Sequence, residues 1–209
     1  MRKPGMDYTI LFGAKHIQKM SQVYLVTGAS RGLGKGFVAA LLQRPDTTVI
    51  AAVRDTASAP ERLSNLAAGS GSKLIVVKID SESDTDAQTA VQTLEAGHAI
   101  NHIDVVIANA AAAAPGAKVS DISINDIRQN FQVNAFAPLL LFQATWPLLQ
   151  RSKSPKFIGI STCVATIGKM QDWAWPIASY GSSKAAMNYL VRKMHFENDE
   201  LVTCVVHPG

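Results

Sequence analysis

Cysteine is scarce: the chain has two in 209 residues, Cys163 and Cys204. Both lie in apolar, strand-like runs and read as reduced core thiols. That excludes a disulfide framework and points to a cytoplasmic or similar reducing compartment. No apolar run reaches the roughly 18 residues that a membrane span needs. The nearest, PLLLFQATWPLL, is short and carries Pro138 and Pro147. The formal charge is +4, but no dense Lys/Arg cluster or recognition motif accompanies it, so no nucleic-acid partner is expected. A mildly basic surface or a site for an anionic cofactor explains the charge. His16, His98, His102, His195 and His207 show no metal spacing, so no metal site is expected; His195 reads as a solvent-side residue of a helix face. No second carboxylate stands beside a candidate base.

What is present is apolar: 47% of residues are hydrophobic, enough for one α/β domain with a sizeable core. Strand-like runs recur at Val23–Thr27, Thr48–Val53, Leu74–Ile79, Ile103–Ala108, Lys156–Ser161 and Leu201–Val206. Helical stretches lie between them, at Gly32–Gln43, Pro60–Ala68, Asp84–Ala99, Asp121–Leu149 and Ser179–Glu197. Pro138 and Pro147 are expected to kink or end the fourth of these. The alternation implies right-handed βαβ units and a parallel sheet covered on both faces. The first nineteen residues, MRKPGMDYTILFGAKHIQK, show no capping or periodic pattern. Met20 then enters a strand almost at once. Residues 1–19 are therefore expected to be an upstream extension outside the fold, and residues 20–209 one domain. A basic targeting peptide is the alternative, against which Asp7 counts.

VYLVTGASRGLGKG reads as strand, glycine turn and helix, with Gly28, Gly32 and Gly34 in the spacing TGxxxGxG. Gly28 permits a tight turn, and Gly32 and Gly34 let backbone approach a pyrophosphate at a helix N-terminus. A plain flexible turn is the bland alternative. The second strand ends AAVRD. Arg54 there and Arg31 in the glycine loop could clamp a 2′-phosphate, which favours NADP(H). NAD(H) is the alternative, because Asp55 follows at once and could reach a ribose; two solvated arginines is the bland reading. Asp80, at the end of the third strand, sits where an adenine edge would lie, or it serves a capping or turn role. Tyr180 and Lys184, in ASYGSSK, are an i, i+4 pair on one helix face. An ammonium beside a phenol lowers the phenol pKa, making Tyr180 a proton donor and acceptor near neutral pH. A surface pair is the alternative.

Together TGASRGLG, ANAAA, FQVNAFAP, GIST and YGSSK, in this order, resemble the short-chain dehydrogenase/reductase family of single-domain type. The resemblance runs from about Gln22 to Gly209. Within the family the text is similar to fungal norsolorinic acid ketoreductase-like and sniffer-like carbonyl reductases. The implied fold is a Rossmann-type doubly wound parallel sheet, order 3-2-1-4-5-6. The implied activity is NADPH-dependent reduction of a ketone or aldehyde, with an aryl ketone of secondary metabolism as one substrate class. Tyr180 is then the general acid. Lys184 holds the nicotinamide ribose and depresses the Tyr180 pKa. Asn134 holds a water of the proton relay. Strict alignment gives the carbonyl-orienting hydroxyl to Thr162, with Ser161 the fallback. The cofactor set is Gly28, Ser30, Arg31, Gly32, Leu33, Gly34, Arg54, Asp80, Asn109, Ala110, Tyr180, Lys184, Pro208 and Gly209.

Two departures stand out. The family's NNAG is Ala108-Asn109-Ala110-Ala111 here, and a positive φ at Ala111 would cost on the order of 1 kcal/mol. The insertion GKMQDWAWP carries Met170, Trp173 and Trp175, which could wall an aromatic substrate pocket or fold on one another. The family's assembly implies a homo-dimer or tetramer through the Asp121–Leu149 and Ser179–Glu197 helices, if the chain is full length. LVTCVVHPG reads as a sixth strand, with the family's seventh strand and substrate loop missing after it. The expectation is a truncated product, prone to aggregate or to bind cofactor weakly. A catalytically impaired NADP-binding protein, acting as sensor or partner subunit, is the alternative function. An NADP-linked epimerase or dehydratase is the third, against which the TGxxxGxG loop counts.

Overall fold

The computed structural model describes residues 21–209; the extension and its boundary at Met20 lie outside the described residues. Six parallel strands form one sheet: β1 (Gln22–Thr27), β2 (Thr47–Val53), β3 (Lys73–Lys78), β4 (Val105–Ala108), β5 (Lys156–Ile160) and β6 (Val202–Val206). Their order is β3-β2-β1-β4-β5-β6, the order that the family resemblance implies; the strand–helix alternation predicts only that the sheet is parallel. Thr27 pairs with Ala52 and Ile107 with Ile158. All strands are parallel, so every carboxyl end opens on the same sheet edge.

Two apolar layers sandwich the sheet. Helices α1 (Gly32–Leu42) and α2 (Ala59–Leu63) cover one face, with Val26, Val38, Val49, Ala51 and Leu63 in its core. Helices α3 (Asp86–His98), α5 (Ala137–Leu149) and α6 (Ala178–Glu197) cover the other, around Leu25, Ile50, Leu94, Leu148, Phe157 and Met187. Every residue of β2 and β4 is buried. That is why these strands read as unbroken apolar runs rather than alternating ones. Among the described residues no helix is long and apolar enough to cross a membrane.

Several expectations need correction. The 121–149 stretch is not one helix. It begins as α4 (Ile124–Phe131), capped by the Ser123 hydroxyl accepting from the Asn125 N–H. A π-helical turn, Gln132–Phe136, then leads into α5. Pro138 sits in the first turn of α5 and has no N–H to donate to the Asn134 carbonyl four residues back. Such turns gather at functional sites. Pro147 neither ends α5 nor begins a new element. The second helix stops at Leu63, because Ser64 and Asn65 favour turns over helix.

The cysteines are not core. Cys163 is half-buried in a short 3₁₀ turn, Cys163–Ala165, after β5. Cys204 is exposed on β6. Leu201 is buried, but β6 itself, last in the sheet order, exposes Val202, Val205 and Val206, the uncovered edge that a sixth strand with no seventh beside it implies. Ala111 is not among the described residues with positive φ, so the alanine there is unstrained.

Candidate active site

The glycine loop joins β1 to α1 at the open edge. Gly28 has φ +64, and a Cβ on it would stand 3.0 Å from the Ala110 Cα. Gly34 is tighter: a Cβ would lie 2.2 Å from the Gly28 carbonyl oxygen and 2.6 Å from the Asn109 Nδ2. Only glycine lets the first turn of α1 close on the strand end. Gly32 has φ +54 with nothing within 4 Å of its Cβ position. Its backbone therefore faces open space rather than protein. Arg31 is the N-cap of α1 and makes no side-chain cap bond, which leaves helix N–H groups pointing outward. Ser30 is half-buried in this loop and Leu33 half-exposed.

Thr27 ties the loop to β4. Its hydroxyl accepts from the Asn109 N–H at 3.0 Å and the Ala110 N–H at 3.1 Å. The Asn109 amide donates in return to the Thr27 carbonyl at 2.8 Å and the Gly28 carbonyl at 3.4 Å. Asn109 and Ala110 thus sit against the loop. The part of Thr27 is one that its place in TGAS could have signalled. Arg54 follows β2, which neighbours β1. Both arginines are exposed, and their guanidinium groups join no hydrogen bond or ion pair among the described residues. Asp55 is engaged in its own turn. Hydrogen bonds from the Ser58 side chain and the Ala57 N–H hold its carboxyl below the ordinary carboxylate range. Asp80 stands in a turn, where its carboxylate accepts the Glu82 N–H at 3.0 Å. Pro208 and Gly209 follow β6 and are exposed.

The second half of the site gathers around α6. Lys184 is 1% exposed and donates from Nζ to the Ile160 carbonyl at 2.7 Å. Burial lowers its pKa to about 8. Tyr180 lies one turn earlier, half-buried, with the Lys184 ammonium 6.0 Å from its ring centre. The expected lowering of the phenol pKa is not found. Burial raises it, and the Cys163 thiol beside it adds to the rise. The ammonium is held on a carbonyl rather than on the phenol oxygen, so desolvation prevails.

Gly181 brings Tyr180 to the end of β5. A Cβ there would stand 2.9 Å from the Val164 carbonyl, so α6 rests directly on the turn that follows Thr162. The two hydroxyls of that strand end diverge. Ser161 is buried and donates to the Asn188 Oδ1 at 2.6 Å. Thr162 is half-buried, caps the 3₁₀ turn, and accepts only weakly from the Val164 N–H, at 3.4 Å. Asn134 stands in the π turn, fully buried. Its side chain accepts from the Ala112 N–H at 3.0 Å and donates to the Ala112 carbonyl at 2.8 Å. It also donates to the Ser183 hydroxyl at 3.0 Å. Asn188 and Ser183 escaped sequence reading, although both fall within one turn of Lys184.

The insertion packs partly on itself: Trp173 and Trp175 meet edge to face at 5.5 Å. Trp175 is still 61% exposed, and Met170 and Ile167, earlier in the same stretch between β5 and α6, are exposed too. A bridge between Ala117 and Ile177 holds this loop against the one after β4.

Known proteins share this arrangement. The sequence model of the family described as short chain dehydrogenase matches residues 22–209. Norsolorinic acid ketoreductase nor1 of Dothistroma septosporum is 49% identical over 210 residues, covering 99% of this chain and 78% of that protein. The norsolorinic acid ketoreductase of Aspergillus parasiticus is 48% identical over 189 residues, covering 90% and 70%. Among solved structures, the KRED1-Pglu enzyme superposes with a TM-score of 0.77 at 26% identity, over 90% of this chain and 74% of that one. The NADPH-bound carbonyl reductase from chicken fatty liver gives 0.75 at 26%, over 91% and 79%. With its glycine loop, its sheet order and its tyrosine–lysine helix in these places, the chain belongs to the short-chain dehydrogenase family.

Proposed function

We propose that this chain reduces a ketone or aldehyde with NADPH, that Tyr180 is the general acid, and that aryl ketones of secondary metabolism are the substrate class. The observation that carries the reading is the seating of Tyr180, through Gly181, against the Thr162–Val164 turn with Lys184 buried behind it. The glycine loop fits a dinucleotide. The backbone of Gly32 is open, the α1 N-terminus lacks a side-chain cap, and two guanidinium groups stand unpaired among the described residues. The engagement of Asp55 in its own turn favours NADP(H) over NAD(H).

When bound, the nicotinamide supplies the hydride. The chain supplies the proton and the geometry. Thr162 donates its hydroxyl to the carbonyl oxygen and orients it. Tyr180 gives its proton to that oxygen as the new C–H bond forms. Burial keeps the phenol protonated at neutral pH, the state a donor needs. Lys184 spends one N–H on Ile160 and keeps two for ribose hydroxyls. The Asn134 side chain is committed to Ala112 and Ser183, so its share in a water relay falls to its main-chain carbonyl. Trp175, Met170 and Ile167 offer an apolar wall to a flat ring system, in keeping with the ketoreductase names of the relatives. Exposed Tyr189 and Phe196 on α6 suit a homo-dimer or tetramer, and the reading places the enzyme in the cytoplasm.

Mixing the protein with NADPH and a panel of aryl ketones tests the reading. Loss of the nicotinamide absorbance is expected, and Arg54→Ala should raise KM for NADPH about tenfold while leaving that for NADH unchanged. Tight NADPH binding with no turnover on any ketone would instead indicate a cofactor-binding protein.

A further inference from the structure

The interface between α4 and α6 contains a polar pair that the proposed chemistry does not use. Asn130 is 1% exposed, one turn before Asn134. Its Nδ2 donates to the Ser179 hydroxyl at 3.1 Å, and Ser179 is itself buried. One turn on, Asn134 donates to the Ser183 hydroxyl at 3.0 Å, and Ser183 donates to the Tyr180 carbonyl at 2.7 Å. Asn130 and Asn134 are i, i+4 on one helical segment, and Ser179 and Ser183 are i, i+4 on the other. The two segments are therefore joined by two asparagine–serine rungs, and Tyr180 lies between the two serines. The rungs touch each other as well: the Asn134 Nδ2 approaches the Asn130 Oδ1 at 3.5 Å.

A buried amide is costly unless every polar atom is met. An apolar pair of similar volume would hold the helices together equally well. What an apolar pair lacks is direction. Leu against Ala tolerates a small slide or rotation of one helix on the other, whereas an N–H aimed at one hydroxyl does not. We infer that Asn130 is a positioning residue: through Ser179 and Asn134 it sets the axial register of α6 on α4, and hence the place of Tyr180 at the end of β5. Its role in turnover rests on the reading above; its role in placing Tyr180 does not.

The test uses the full chain with both partners replaced, Asn130→Leu with Ser179→Ala. Removing both leaves no orphaned polar atom, so the melting temperature should stay near that of the parent. A displaced Tyr180 should lower kcat for an aryl ketone about tenfold to a hundredfold, with KM for NADPH unchanged. In tyrosine-labelled protein the Tyr180 ring resonance, identified by its loss in Tyr180→Phe, should move while those of Tyr24 and Tyr189 stay. An unmoved Tyr180 resonance overturns the inference whatever the kinetics, and so does a moved resonance with parental kcat. If the parent reduces no ketone, the proposed function fails and the resonance alone decides this one. If the double variant does not fold, Ser179→Ala by itself is read by the same resonance.

Discussion

Between Thr27 and Gly34 the site is made of backbone; between Asn134 and Lys184 it is made of side chains. The glycine loop is shaped by what is missing: no Cβ at Gly34, none at Gly28, no side-chain cap at the start of α1. Its parts are consecutive in sequence, and at Gly34 and Gly28 there is no room for an added atom. The tyrosine cluster draws on the π turn, the end of β5 and the first turns of α6, held by six or so directed hydrogen bonds between residues about twenty to fifty apart. One half of the site should therefore fail by losing its fold, and the other by losing its chemistry while the fold stands.

The largest effect should come from Gly34→Ala. The new Cβ would meet a backbone oxygen at 2.2 Å, and backbone cannot give way as a side-chain tip can. A loss of about 3 kcal/mol in urea unfolding, the upper end of what overpacking usually costs, is expected, together with loss of NADPH binding. Gly32→Ala, with open space and only the positive φ against it, should cost about 1 kcal/mol. Equal costs at the two positions would break the contrast.

Tyr180→Phe tests the other half. It removes one hydroxyl and should lower kcat by about 10²–10⁴, while the melting temperature and NADPH affinity stay at parental values. A variant that instead loses its fold would show that the cluster, too, is structural. Next come the two hydroxyls of β5. Thr162→Val should cost about a hundredfold in kcat. Ser161→Ala leaves the Asn188 oxygen unmet and should act mainly on stability, by about 1–3 kcal/mol. Kinetic constants for the pair, set beside their unfolding curves, give the answer. The reverse pattern would move the orienting role to Ser161.

The smallest effect is electrostatic. The Lys184 pKa falls from 10.5 to about 8 on folding. Between those values the unfolded chain holds a proton that the folded chain lacks, so stability rises with pH across that window. Below pH 8 both states are protonated and the burial penalty is fully present. Lys184→Met should flatten this rise. At neutral pH it should also raise the melting temperature by roughly 2–4 °C for each kcal/mol recovered. Melting curves from pH 7 to 10.5 that are identical for parent and variant would count against it.

The same division decides what could be read in advance. The strands, the glycine loop and the tyrosine–lysine face were legible because each is a local pattern: continuous apolar runs, a glycine spacing, an i, i+4 step; the strand order came only with the family resemblance. The π turn at Gln132–Phe136 was not, because nothing local separates it from the α-helix on either side. The cysteines were misjudged because an apolar run tells of a strand but not of its cover; Cys204 lies on an edge. The Tyr180 shift was misjudged because a sequence gives the spacing of the ammonium and the phenol. It does not give the carbonyl of Ile160, where the ammonium is held.

By itself, then, the sequence determined the six strands, their parallel alternation with helices, and the glycine and tyrosine–lysine patterns carried at the open edge of the sheet. Periodicity, glycine placement and side-chain type are properties of short stretches and need no fold to be read. The tertiary structure alone decided which of two adjacent hydroxyls is free and which way the buried lysine points. It also decided that two asparagine–serine rungs set the tyrosine in place. Each of these depends on atoms that meet only after chain segments distant in sequence have packed, where hydrogen bonding and loss of water outweigh local preference.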